Sequence, residues 1–464
     1  MQMSRLKITD NKDWTEIANC VVDSEPPLTD EEVESVKSDI ELIANKTIET
    51  QRKNNPNLLV FPQSLGYHGD DIGKGVIISL SDNKISTNNI MGFVGVNQTQ
   101  IDIRSRFANG KEDYFLHYML QKVFSINLFE IKHTTTNEPI FDFLLYMFPH
   151  FLKKAVAQGV FKKYRRFEYN DANIRGPIDV SRHIRQNIPF RGTVAYSTRQ
   201  HTYDNELTQL VRHTIEYIRT KAQGSAILNI DSDTKDNVNQ IVMATQSYNA
   251  RERQRVINQN IRPVRHPYFA EYTALQKICL QILRHESIKY GQEKDKIYGI
   301  LFDGAWLWEE YLNKVFEENK LGITHAKNKT GDNGIQIYKG SHKYFPDFYN
   351  KEKSLVLDAK YKRLGRGEID EMQNSISICR DDLFQMITYM HVLPAKCCVL
   401  LYPLELDETQ EEKAVLSKPR ELYGLGGDIY GIGIPITQTK DDYELFCNVQ
   451  KEIEIALQSQ VGKL

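Results

Sequence analysis

No segment limits the possible folds more than residues 344–360. Tyr344-Phe345-Pro346-Asp347-Phe348 is followed, after the turn Asn350-Lys351-Glu352-Lys353, by Leu355-Val356-Leu357-Asp358-Ala359-Lys360. Two apolar runs separated by a polar turn predict a β-hairpin. The hairpin brings Asp347 beside Asp358. Side chains alternate along a strand, so Asp358 and Lys360 point to the same face. Two carboxylates and an ammonium therefore converge on one spot.

Phosphodiester hydrolysis uses this combination. Carboxylates offer hard oxygen ligands to Mg²⁺, and the metal neutralises charge building on the phosphate. A lysine beside them can orient the attacking water or help to deprotonate it. A D-x-K string alone also describes an ordinary surface hairpin with an Asp–Lys pair, and two neighbouring features argue for the chemical reading. In the preceding segment Leu301, Ala305, Trp308, Leu312 and Phe316 form an apolar stripe of a helix over 301–318. At about 100° per residue, Glu309 falls at the edge of that stripe while Glu310 points away. An acid bordering a buried face needs a partner. Downstream, Asp381-Asp382-Leu383-Phe384-Gln385-Met386-Ile387 opens a second helix with acids in its first turn, and Gln385 is placed to reach the lysine or the water.

The order around these residues is helix, strands at 334–339, 343–349 and 353–360, a helix at 379–392, strands at 396–402 and 428–436, and a helix from about 440. That is the order of an α/β nuclease core with a mixed central sheet flanked by helices. Earlier in the chain, Thr29 with Glu31 and Glu32 predicts a helix to about residue 53. Short strands follow at 57–61, 75–80, 90–96 and 100–103. Residues 112–165 and 205–292 read as mainly helical, with breaks at Gly176-Pro177 and Pro189, and again near Pro263 and Pro267. The expectation is a multidomain α+β protein, with a β-rich N-terminal module over 1–110 that meets a partner. A mainly helical region with basic segments spans 111–295, and the nuclease core spans 296–464.

At 464 residues the chain exceeds one ordinary core. Its formal net charge of −2 excludes a global basic field, so any nucleic-acid surface must be local. From Lys162 to Arg199 nine Lys or Arg face three acids, interleaved with Tyr164, Phe167, Tyr169 and Tyr196. Lys162, Lys163, Arg165, Arg166, Arg175, Arg182 and Arg185 are the candidate phosphate contacts with DNA. Solvated faces and salt bridges would give the same composition. The six cysteines lack metal-site spacing and read as reduced thiols of a cytoplasmic protein. No stretch has the roughly 18 apolar residues of a membrane span. Gly73-Lys74-Gly75 suggests a phosphate loop, but His68 stands where the first glycine is required. Any nucleotide-driven motor must belong to another subunit.

These residues resemble the McrC family, the nuclease subunit of McrBC-type and LlaJI-type restriction systems, within the PD-(D/E)xK superfamily. The likeness is carried by Gly92-Phe93-Val94-Gly95-Val96 with Gln100-Ile101-Asp102-Ile103. It extends to Ile174-Arg175-Gly176-Pro177-Ile178-Asp179 with Tyr203-Asp204-Asn205-Glu206-Leu207, and to the Asp347, Asp358-Ala359-Lys360 and Asp382-Leu383-Phe384-Gln385 series. Where the family often carries a P-K pair after the first strands, this chain has Arg104-Ser105-Arg106. The resemblance implies that Asp347, Asp358 and the backbone carbonyl of Ala359 hold Mg²⁺, with Mn²⁺ able to substitute. Lys360 would serve the water, supported by Glu309 and Gln385. It also implies double-stranded DNA as substrate and a GTP-hydrolysing McrB-like AAA+ hexamer as partner. A self-sufficient endonuclease and a non-catalytic assembly factor that stimulates the partner are the competing readings.

Overall fold

Strands Ile90–Val96 and Thr99–Arg104 pair antiparallel around Asn97, whose φ of 49° is a left-handed conformation that asparagine tolerates. The computed structural model describes residues 4–22, 30–55, 58–62, 72–97, 99–108, 112–124, 139–221, 224–289, 297–318, 321–326, 335–336, 343–363, 378–405, 414–417, 419–424, 426–437 and 442–464. Thr29, Asn57 and the expected strand residues 337–339 lie outside the described residues, as do 125–138 of the expected helical stretch.

The hairpin sits inside a six-stranded mixed sheet. The order is Val21–Val22, Ser4–Thr9, Thr99–Arg104, Ile90–Val96, Tyr298–Asp303, Leu58–Phe61. Helix Asp30–Ile43 lays Val36, Ile40 and Ile43 on Leu6, Ile8, Val94, Ile101, Ile103 and Leu301. The single helix expected to residue 53 is two, because Asn45 turns left-handed (φ 55°) and Thr47 caps a second helix, Ile48–Asn54.

Tyr298–Asp303 is a further correction. The expected helix from Leu301 begins only at Gly304, where Asp303 Oδ1 accepts from the Trp306 amide at 2.8 Å. Ile300, Leu301 and Phe302 are all buried, since a central strand is covered on both faces. A continuous apolar run of this kind cannot be told from a buried helix by periodicity. Ala305, assigned to the apolar stripe, is exposed.

The chain forms two compact units, residues 1–129 with 293–464 and residues 130–292. The segments 1–110 and 296–464, expected as separate domains, share the first unit because Tyr298–Asp303 fills the place between Ile90–Val96 and Leu58–Phe61.

The second sheet of that unit runs Thr324–His325, Phe348–Asn350, Leu355–Ala359, Cys397–Glu405, Asp428–Ile436, with Val415–Leu416 and Arg420–Glu421 also on the last strand. It is mixed: the 348–359 hairpin is antiparallel, and the next two pairings are parallel. Helix Arg380–Val392 crosses between the parallel strands, packing Met386, Tyr389 and Met390 on Val356, Cys398 and Leu400. On helix Gly304–Glu318, the Trp308 indole donates to the Leu401 carbonyl at 3.3 Å. That helix is tied to Tyr443–Lys463 by Tyr311 OH to Glu454 at 2.8 Å.

In the unit of residues 130–292, helices Pro139–Ala157, Glu206–Arg219 and Glu271–Lys289 form the main body. Asn205 starts the second with a reciprocal capping box. Lys163–Asp171 and Val194–Thr202 form a nine-residue antiparallel ladder that the sequence showed only as a break. Exposed and half-buried residues alternate along Lys163–Asp171 without a buried face, so no apolar stripe announces the strand. All six cysteines are free thiols. Among the described residues, no helix is long and apolar enough to cross a membrane.

His213 makes this unit acid-sensitive. It is buried against Tyr248, with ring centroids 4.7 Å apart. Burial pushes its imidazole down to about 4, helped by the charges of Arg253 and Arg212. The unfolded chain takes up a proton near the ordinary value of 6.5, well before the folded chain does. The stability this neutral histidine contributes is full above pH 6.5 and is lost as pH falls toward 4. The loss is on the order of 3 kcal/mol. Urea unfolding across that window should show a shallower acid loss for His213→Phe than for wild type. Identical slopes would place the sensitivity elsewhere.

Candidate active site

Backbone hydrogen bonds build the site before any side chain enters it. Asp347 lies just before strand Phe348–Asn350, and its carbonyl accepts from the Ala326 amide at 3.1 Å. Its carboxylate Oδ2 accepts from the Ala359 amide at 2.7 Å. The two strands of the hairpin are thus locked together at the residue between Asp358 and Lys360. The register Phe348↔Leu357 sets that placement, and alternation along Leu355–Ala359 sends Asp358 to the face covered by helix Arg380–Val392.

Lys360 is the hub. Its ammonium stands 2.8 Å from Asp358 Oδ2 and donates to Gln385 Oε1 at 2.8 Å. Asp382 Oδ1 lies 3.6 Å away. Gln385 is oriented in turn: its Nε2 donates to Tyr389 OH at 3.1 Å, and that hydroxyl donates to the Phe345 carbonyl at 3.2 Å. Burial alone would weaken the lysine's hold on its proton. The charge of Asp358 and its hydrogen bond, with Asp347 and Asp382 adding to it, reverse the direction and raise its pKa. Lys360 is a fixed cation.

Asp347 and Asp358 are pushed toward their neutral forms. Burial raises Asp347 well above the carboxylate range. The charges of Glu309 and Asp358 raise it further, against the opposing Ala359 amide and Lys360. Asp358 is raised by burial, with Lys360 opposing. Asp382 differs. Burial pushes it up, but hydrogen bonds from Cys379 and Lys362 and the charge of Lys360 bring it below the ordinary value.

Glu309 is buried on helix Gly304–Glu318, and its Oε1 meets His325 Nε2 at 2.7 Å. The imidazole stacks on Phe348 with centroids 5.0 Å apart. Asp347, Asp358, Lys360, Glu309 and Gln385 are therefore brought together as the sequence predicts. His325 and Asp382 were not anticipated as members. Glu309's place beside an apolar stripe was the one sign that a partner such as His325 existed.

Among the described residues, no three His, Cys, Asp or Glu side chains form a metal cage. What the site does offer is two mutually repelling, largely buried carboxylates. That suits a hard divalent cation which takes one or two carboxylates and fills its remaining positions with water and phosphate. A zinc-type set of nitrogen and sulfur ligands is not what lines this hairpin.

The basic segment divides. Lys162 and Arg165 lie over the Tyr203 and Phe167 rings, 4.2 and 5.5 Å from the centroids. Lys163 pairs with Glu206, Arg166 with Asp179 at 3.4 Å, and Arg175 with Asp171 at 3.6 Å. Arg185 donates to the Ser181 carbonyl at 3.2 Å. Arg182 is turned inward, donating to the Tyr169 and Tyr196 carbonyls at 2.8 and 2.7 Å, and acts as a strut of the ladder. Ile174, Ile178, Val180, Ile184, Ile188 and Phe190 are exposed beside these residues. The surface therefore has the apolar character of a macromolecular contact as well as positive charge.

The model of the family described as McrBC 5-methylcytosine restriction system component matches residues 85–403, a span that holds every residue of the cluster. No curated protein matches the sequence. Two solved structures are similar at low identity. One is a refined half-complex from a tetradecameric assembly of Thermococcus gammatolerans McrB AAA+ hexamers with bound McrC. It has 16% identity and a TM-score of 0.49, covering 98% of this chain and 100% of that one. The other is a cryo-EM structure of the Thermococcus gammatolerans McrBC complex, at 14% identity and a TM-score of 0.34, covering 68% and 88%. The family model covers more than half of the sequence, and the chain belongs to the McrBC 5-methylcytosine restriction system component family.

Proposed function

We propose that this chain is the McrC-type subunit of such a system, a Mg²⁺-dependent DNA endonuclease with a PD-(D/E)xK core. We propose further that it works with a GTP-hydrolysing McrB-like AAA+ hexamer. The observation that carries the reading is the convergence of Asp347, Asp358 and Lys360, with Gln385 bonded to the lysine. Asp347, Asp358 and the Ala359 carbonyl would hold the metal, which when bound supplies charge neutralisation at the phosphate and a more acidic water. Lys360, held as a cation by Asp358 and Gln385, orients the attacking water and faces the negative charge that develops on the phosphate. Gln385 and Tyr389 fix the ammonium's direction. Glu309, clamped by His325, adds negative charge beside Asp347 and shapes its position.

The partner enters because the sequence has no complete nucleotide-binding motif, so a motor must come from outside the chain. The N-terminal segment over 1–110, which shares the first unit with 296–464, is the proposed partner-binding part. Family membership supports restriction as the setting.

The test is cleavage of supercoiled plasmid with Mg²⁺ by wild type and Asp358→Ala, each with and without the partner and GTP. Cutting confined to the complete wild-type mixture is the expected result. Cutting by the wild-type chain alone would move the reading to a self-sufficient enzyme. Equal cutting by Asp358→Ala would remove this site from the chemistry.

A further inference from the structure

Beside the carboxylate cluster lies a cleft of about 510 Å³, lined by Thr9, Asp10, Asn11, Lys12, Arg106, Ala108, Lys362 and Arg363. Three stretches far apart in sequence make it, the first two brought together by the pairing of strands Ser4–Thr9 and Thr99–Arg104. They are the end of strand Ser4–Thr9 with the residues after it, the turn at Arg106 and Ala108, and the chain just past strand Leu355–Ala359. Tyr361 rivets them, with its hydroxyl 2.8 Å from Ser105 Oγ and its ring 4.8 Å from the Arg106 guanidinium.

The lining carries four cations and one carboxylate. That carboxylate, Asp10, is fully buried and held by Arg106 through Nε at 2.9 Å. Lys362 and Arg363 are held by Asp382 at 2.9 Å and Glu405 at 2.8 Å, and neither acid lines the cleft. Lys12 is exposed at its wall. A neutral or cationic ligand gains little from such a surface, whereas an anionic one such as a phosphodiester gains from its cations.

Position narrows the ligand. Lys362 follows Lys360 by two residues, about 7 Å of chain. One DNA strand advances roughly 3.4 Å per nucleotide, so the cleft begins within about two nucleotides of the reacting phosphate. We infer that this cleft is a backbone subsite for DNA, taking the phosphates that flank the cleavage position on one strand. The inference rests on the nuclease reading of the neighbouring carboxylates. It would make the Arg104-Ser105-Arg106 departure from the family pattern part of DNA positioning.

Binding without cutting tests it. Full-length chain in EDTA is titrated against a short fluorescein-labelled duplex at several salt concentrations, and the log affinity is plotted against log salt. Lys12→Gln and Arg363→Gln should each lower the slope by about 0.9, the value for one phosphate contact. Lys12→Arg should keep the wild-type slope. So should Lys235→Gln, which changes an exposed lysine of the other unit. An unchanged slope in the Lys12→Gln/Arg363→Gln double variant overturns the subsite, and so does a wild-type chain that does not bind the duplex. Because no cutting is measured, the outcome is separate from the Asp358→Ala assay. The subsite can fall while the nuclease reading stands, and a failure of the Asp358→Ala assay is read independently of the salt slopes.

Discussion

Lys360→Met should cut plasmid DNA at least about a hundredfold more slowly than wild type, the scale of losing one preorganised charge at a developing anion. Methionine keeps most of the apolar stem and removes only the ammonium. The loss has two parts. The ion pair with Asp358 at 2.8 Å and the bond to Gln385 at 2.8 Å disappear. Asp358, already raised by burial, loses the cation that opposes that rise. Lys360→Arg keeps the charge but spreads it over a planar fork that cannot reproduce a compact ammonium between those two oxygens. It should recover only part of the rate. Single-turnover cleavage in the complete mixture measures both, with circular dichroism confirming the fold. A Lys360→Met chain that cuts at the wild-type rate would take Lys360 out of the machinery.

The second large effect is on stability and lies far from the chemistry in sequence. Gly92→Ala should destabilise the chain by about 4 kcal/mol, the sum of a strained backbone and an overlap that cannot relax locally. Gly92 has φ of +124°, and a Cβ there would stand 2.1 Å from the Ile300 carbonyl oxygen. Gly299 on the facing strand, paired with Val94 and at φ of +149°, would place a Cβ 2.3 Å from the Phe93 oxygen. The two glycines let strands Ile90–Val96 and Tyr298–Asp303 approach closely in the register Leu301↔Gly92. Three residues past Leu301 the helix that carries Glu309 begins. The expected result is a lowered urea midpoint with an unchanged slope, accompanied by lost cleavage. A midpoint equal to wild type would show that the strands can separate at no cost.

Much of the candidate site's geometry was legible because its residues are close in sequence. Asp347 and Asp358-Ala359-Lys360 sit on one hairpin, and period-two alternation is enough to aim them. Helix Arg380–Val392 and strand Asp428–Ile436 follow their sequence patterns almost to the residue. His325 was illegible because it sits on a two-residue strand, Thr324–His325, too short for any periodicity. Asp382 was read as a favourable acid in a helix's first turn. The structure spends it on Lys360 and Lys362 as well, a tertiary role that no local pattern encodes. The partnership of residues 58–61 with 298–303 was hidden for a plainer reason. Pairing across so long a separation leaves no trace in either segment's composition.

That same pairing bears on how the chain is made. On a ribosome the other five strands of the N-terminal sheet emerge early, yet the strand that joins Ile90–Val96 to Leu58–Phe61 is some two hundred residues behind. At about 5–20 residues per second the nascent sheet waits roughly ten to forty seconds with that edge open. An open edge is a template for pairing with other chains. Synthesis of this protein therefore has a vulnerable interval, set by the order of its strands, that ends when Tyr298–Asp303 leaves the exit tunnel.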